Sequence, residues 1–185
     1  GVPRIYTKFQ LGILSKFSQK KLDFLLSIPL LSSIIKKKIQ KGLGLSKAKV
    51  IISDNTTISS ISDFKGINHN DVIMIGESIV LALSTPGHYY DSICYWAKDA
   101  NIIFTGDTMF VGRTGRTISG GSDISDLFNS VYNILLKLPL ETIVLPGHHY
   151  GFQKTISIKE NIKYSNFFQC KDLDEFKRVM KNYEN

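Results

Sequence analysis

The stretch Leu83-Ser-Thr-Pro-Gly-His-Tyr-Tyr-Asp-Ser-Ile-Cys-Tyr-Trp96 decides the fold. An apolar strand ends in it, the chain turns at Pro86-Gly87, His88 is presented, and a second strand begins at Ile93. The same design returns twice. Ile102-Ile-Phe-Thr-Gly-Asp107 ends a strand at a carboxylate, and Ile143-Val-Leu-Pro-Gly-His148 ends one at a second histidine. Each turn joins an apolar strand to a glycine and one potential metal ligand. A side chain at a strand end is held rigidly and still faces a cleft. Convergence of three such ends is what a metal site requires.

Working outward, residues 72–75, 78–83, 93–97 and 102–105 read as strands joined by tight turns. Residues 108–122 form a glycine-rich loop. Residues 123–138 read as one helix, with Ile124, Leu127, Val131, Ile134 and Leu135 on one face and Ser122 or Asp123 as its cap. A strand at 142–145 and helices at 154–164 and 172–182 close the chain. Upstream, Phe9, Leu11, Ile13, Leu14 and Phe17 are spaced as a helix face, and residues 22–26 read as a buried strand. Pro29 opens a helix over 30–40, which Gly42 and Gly44 end. Residues 50–52 read as a short strand and 55–70 as mostly loop. Strand runs interleaved with helices fit a two-sheet core with helices outside. Neither a repeat nor an interdomain linker is visible.

The 185 residues predict a single domain spanning 1–185, and 43% hydrophobic content suits a packed core. A net charge of +7 favours anionic partners, although the run Lys36-Lys37-Lys38 reads first as a solvated helix face. Two cysteines, Cys94 and Cys170, with no CxxC argue against a disulfide framework and for a reducing compartment, cytoplasm or organelle lumen. Cys94 alternates with strand neighbours and reads as a buried small hydrophobe. No signal peptide opens the sequence. The apolar run 22–35 is too short to span a bilayer and is interrupted by Asp23 and Pro29.

Three segments carry a family resemblance: Thr85-Pro-Gly-His-Tyr-Tyr-Asp-Ser92, Phe104-Thr-Gly-Asp-Thr-Met-Phe-Val-Gly-Arg-Thr-Gly-Arg-Thr117 and Val144-Leu-Pro-Gly-His-His-Tyr-Gly151. They resemble successive blocks of the metallo-β-lactamase superfamily, in the branch of glyoxalase II thioesterases and persulfide dioxygenases. The resemblance runs from roughly Phe9 to near the C-terminus, where the tail is more similar to the persulfide-dioxygenase end. It implies an α/β αββα sandwich with a metal site at one sheet edge. By the same comparison the opening strands of the first sheet are expected to be missing from its N-terminus: a partner supplies them, they precede the given sequence, or the first sheet is shortened. The uncovered edge leads to the expectation of a homodimer.

Active members carry a T-H-x-H-x-D-H motif that supplies most metal ligands. The matching stretch here is Ser27-Ile-Pro-Leu-Leu-Ser-Ser-Ile34, so Ile28, Leu30 and Ser33 stand for histidines and Ser32 for the aspartate. The four histidines are His69, His88, His148 and His149, none before residue 69. The resemblance assigns His88 to one metal position, His148 to the other and Asp107 as the bridging carboxylate. Such sites need at least three protein ligands, so a dinuclear centre is not expected. The expectation is no metal, or one weakly held zinc or iron on His88, Asp107 and His148, with His149 as a spare donor. Alternatively, the histidines serve as hydrogen-bonded turn residues and Asp107 as a turn cap. His69, between two asparagines, reads as solvated.

Around these, the resemblance implies that Arg116, Tyr150 and Lys163 bind the substrate, a glutathione-like small anion. Arginine suits a carboxylate because it forms paired hydrogen bonds. Arg113 is an extra cation. Three functions follow. The first is a member of the fold with impaired or lost metal-dependent catalysis that binds a glutathione-like ligand or a protein partner. The second is an active mononuclear thioester hydrolase or persulfide dioxygenase using His88, Asp107 and His148. The third, a basic nucleic-acid binder, ranks last because nucleases of the fold use the missing motif and no aromatic-basic stripe is present. Gly42-Leu-Gly44 lacks the third glycine of a dinucleotide fingerprint, residues 112–121 lack Gly-Lys-Ser/Thr, and Ser32 and Ser33 lack a nucleophile elbow.

Overall fold

The structure, a computed structural model, describes residues 51–57 and 65–184. The elements expected before residue 50, with the motif positions Ile28, Leu30, Ser32 and Ser33, lie outside the described residues. The chain divides into two compact units at Gly66-Ile67. Strand β1 (Ile51–Ser53) pairs with β2 (Lys65–Ile67) in a two-stranded sheet. β2 falls where mostly loop was expected. Its three residues include one glycine and one charged side chain, too little apolar periodicity to be read.

The second unit is built on a six-stranded sheet of β3 (Val72–Ile75), β4 (Ser78–Ser84), β5 (Ile93–Ala97), β6 (Ile102–Gly106), β7 (Ile143–Pro146) and β8 (Ile156–Ser157), in that order. All neighbours are antiparallel except β6 and β7, which run parallel. The strand directions therefore bring the carboxyl ends of β4, β6 and β7 to one edge of the sheet. A parallel pair needs a long crossover, and residues 107–142 supply it as a loop followed by a helical segment.

Side chains alternate along the strands as the pleat requires. Leu83, Cys94, Ile103 and Val144 face inward and pack with Leu127, Val131, Leu135, Ile158, Phe176 and Met180 from the helices. Phe104 and Ile143 turn to the opposite face and are exposed.

The segment expected as one regular helix over 123–138 is a chain of three helical types. Helix α1 (Ile124–Asn129) continues as a π-helical turn (Ser130–Ile134) and a 3-10 turn (Leu135–Lys137). Asp123 caps α1 by accepting from the backbone N–H groups of Ser125 and Asp126 at 2.7 and 2.9 Å. Across the three pieces, Leu127, Val131 and Leu135 stay buried at four-residue spacing, and the Ser130 hydroxyl donates to the Pro86 carbonyl at 2.6 Å. That bond ties the helix to the turn before His88.

The helix expected from residue 154 starts later, as α2 (Ile158–Tyr164), because Ile156 and Ser157 first pair with Val144 and Ile143. Ser157 and Glu160 then form a capping box. Helix α3 (Leu173–Glu184) closes the chain. His69 is exposed, as expected, yet its Nδ1 accepts from the Ser84 N–H at 3.2 Å. Among the described residues, no helix is long and apolar enough to cross a membrane.

Cys94 is fully buried, with Sγ 3.2 Å from the Thr85 hydroxyl and 3.6 Å from the Thr105 carbonyl it donates to. Burial pushes its thiol up to about 11 from the usual 9.0. The folded protein therefore holds this proton more tightly than the unfolded chain. The associated stability is complete below pH 9 and is lost as pH rises through about 11. The loss amounts to about 3 kcal/mol. Denaturant unfolding between pH 8 and 11 checks this: Cys94→Ala should flatten the decline by that amount, and an unchanged slope would contradict a protonated buried thiol.

A candidate ligand site at the ends of β4, β6 and β7

The three strand ends converge as the sequence predicts. The Asp107 carboxylate lies between two imidazoles, with Oδ2 3.9 Å from His88 Nε2 and Oδ1 3.5 Å from His148 Nε2. The backbone around it is cut to fit. The β6–β7 register shifts between Phe104 and Gly106, and Gly106 sits at φ +51°. Such a bulge re-aims the next side chain, here that of Asp107. A Cβ on Gly147 would lie 2.6 Å from Asp107 Oδ1.

His88 Nδ1 lies 2.8 Å from the backbone carbonyl of Arg116. A carbonyl can only accept, so Nδ1 carries the hydrogen. In the neutral ring Nε2 then presents its lone pair towards Asp107. Two acceptors facing each other call for a proton or a cation between them. A tetrahedral ion with bonds of about 2.1 Å separates its ligands by about 3.4 Å, near the observed spacings. The two histidines nevertheless take opposite oxygens of one carboxylate, which leaves two donors for each ion position. Among the described residues, no group of three His, Cys, Asp or Glu side chains closes into a metal-ligating set. Among the described residues, each ion position thus finds two donors, and His149 is an exposed neighbour.

The expected substrate-side residues divide. Tyr150 stacks on His148, centroids 4.8 Å apart at 25°, and meets Phe110 edge-on at 5.2 Å. Arg116 joins the site through its carbonyl on His88, while its guanidinium lies 5.4 Å over the Tyr183 ring. Lys163, on α2, is exposed with its ammonium 5.0 Å over Tyr164, and no described contact links it to the histidine–carboxylate group.

Residues of α3 also reach the site. Glu184 Oε1 accepts from both the N–H and the hydroxyl of Thr117. Tyr183 receives the guanidinium of Arg113 at 5.5 Å as well as that of Arg116. Arg113 also lies 4.8 Å over Tyr150 and donates from a terminal nitrogen to the Tyr150 carbonyl at 3.1 Å. In the sequence, Tyr183 and Glu184 are the last turn of an amphipathic helix almost 70 residues from the loop they grip. Periodicity carries no signal of that contact.

Residues 33–148 match the profile of the metallo-beta-lactamase superfamily. The chain is similar to the hydroxyacylglutathione hydrolase of Dictyostelium discoideum, 34% identical over 146 residues, which cover 70% of this chain and 54% of that protein. It is also similar to the probable hydroxyacylglutathione hydrolase glo2 of Schizosaccharomyces pombe, 34% identical over 117 residues, covering 62% and 42%. Among solved structures, ETHE1 from Myxococcus xanthus superposes with a TM-score of 0.68 at 31% identity, covering 79% of this chain and 64% of that one. The chain spans about half the length of the curated relatives it matches.

Proposed function

Because this chain belongs to the metallo-beta-lactamase superfamily, we propose that it binds a glutathione-like anionic ligand beside His88, Asp107 and His148, with metal-dependent catalysis impaired. One observation carries the reading. The two histidines divide the oxygens of Asp107, two described donors to each ion position, while the Tyr150 ring stacks on His148 and carries the Arg113 guanidinium. Two donors per ion position among the described residues, against the three or more that a tightly held ion takes, support the reading of impaired metal binding. The names of two relatives and their 34% identity support a glutathione-linked ligand.

In this reading Arg116 orients a ligand carboxylate through its planar fork. The exposed Tyr150 side chain packs against the ligand's peptide. The Arg116 carbonyl fixes the His88 tautomer, so the same residue couples ligand position to the histidine. A second reading, an active mononuclear hydrolase or dioxygenase, is favoured by one detail: a histidine that gives its Nδ1 hydrogen to a carbonyl has Nε2 free to ligate.

Metal analysis by mass spectrometry separates the two. Protein made without chelator should hold less than about 0.1 zinc or iron per chain. It should still bind S-methylglutathione, and Arg116→Gln should weaken that binding about tenfold. About one metal per chain, lost in His88→Ala, would instead establish the second reading.

A further inference from the structure

The geometry points to a two-arginine clamp, Arg113 and Arg116 gathered on the ring of Tyr183, that holds the two carboxylates of one tripeptide-sized diacid. The inference rests on the proposed ligand class and adds to it a second charge and a second binding residue. Its starting point is Arg113, half-buried in the loop after β6. Among the described residues, neither Arg113 nor Arg116 has a carboxylate within ion-pair distance. The described pairs are Asp107 with its two histidines and Glu141 with Lys159. Glu184, beside Tyr183, directs Oε1 at Thr117. Arg113 Nε is buried and has no hydrogen-bond partner among the described residues.

A partly desolvated guanidinium without a counter-charge is costly. The rings of Tyr150 and Tyr183 offset some of that cost through cation–π contact. An incoming carboxylate would complete it.

Size and place allow this reading. Both guanidiniums lie within 5.5 Å of the centre of one ring, so they are at most about 11 Å apart. An extended tripeptide spans about 10 Å. Each arginine is also one contact from a different histidine of the site. The Arg116 carbonyl holds His88, and Arg113 covers the Tyr150 ring that stacks on His148.

Calorimetric titration of the whole chain with S-methylglutathione and each of its two monoesters tests the clamp. In the wild type each monoester should bind about tenfold more weakly than the diacid, because each lacks one of the two charged groups. Arg113→Gln should remove the penalty for one monoester and leave the other; Arg116→Gln should do the reverse. Arg113→Lys should keep part of that penalty, because lysine retains the charge without the planar fork. The comparison of ligands on unmodified protein stands even if a variant misfolds. Equal binding of diacid and monoesters by the wild type would overturn the clamp while leaving the proposed ligand class intact, as would an Arg113→Gln protein that keeps both penalties. A wild type that binds none of the three overturns both.

Discussion

Gly87→Ala is expected to lower the free energy of unfolding by about 3–5 kcal/mol. Gly87 adopts φ +132°, a conformation that side-chain-bearing residues rarely take. An added Cβ would lie 2.2 Å from the backbone nitrogen of Leu127 and 2.3 Å from its Cα. These are atoms of a helix, not the end of a movable side chain, and Leu127 is fully buried. The turn is pinned on both sides, by the Asp123 N–H donating to the Gly87 carbonyl at 2.8 Å and by Ser130 on Pro86. It cannot slide away without losing the helix. Backbone strain and overlap therefore add. Urea unfolding should show the loss with an unchanged m-value. Gly120→Ala, where an added Cβ meets nothing within 4 Å, should stay within about 0.5 kcal/mol. If Gly87→Ala matched that control, the docking of the His88 turn on α1 would be wrong.

That turn also shows what a sequence discloses. β3 and β5 match their expected bounds, and β4 and β6 extend one residue further. Apolar alternation and the bracketing turn residues act locally there, so the signal is complete within each stretch. The convergence of His88, Asp107 and His148 was legible for the same reason, since three strands ending in a glycine turn repeat one local design. β8 was not legible. Two residues at a sheet edge have no period to read, and Ile156 and Ser157 become a strand through pairing with β7. The change to π and 3-10 geometry after Asn129 answers to the burial of Val131 and Leu135 and to the bond from Ser130 to Pro86, both set by the fold as a whole. The grip of Tyr183 and Glu184 on the arginine loop is of the same kind. It places Arg113, read in the sequence as an extra cation, over the rings of Tyr150 and Tyr183.

Gly115→Ala is expected to weaken binding of S-methylglutathione about hundredfold, beyond the effect of either arginine substitution alone. Gly115 lies where the arginine loop crosses the two site residues from different strands. A Cβ there would be 2.1 Å from the Asp107 backbone oxygen and 2.8 Å from His88 Nδ1. Neither neighbour can yield without damage to the site. Asp107 directly follows β6, and His88 Nδ1 already bonds the Arg116 carbonyl. The loop has little slack of its own: the Gly115 N–H donates to Thr108 O at 3.3 Å, the Phe110 N–H to Arg113 O at 2.8 Å, and Thr117 is fixed to Glu184. Relief must come from lifting residues 113–117 together, which moves both guanidiniums at once. Displacing both arginines, each responsible for about a tenfold effect, gives the hundredfold change. The cost in stability, about 1–3 kcal/mol for an overpacked site, leaves most chains folded. Calorimetry beside a thermal melt can then separate lost binding from lost fold. A folded Gly115→Ala protein with wild-type affinity would show that the ligand is held elsewhere than by this loop. A folded protein that loses both carboxylate penalties would place the two arginines, the His88 tautomer and the ligand on one rigid element.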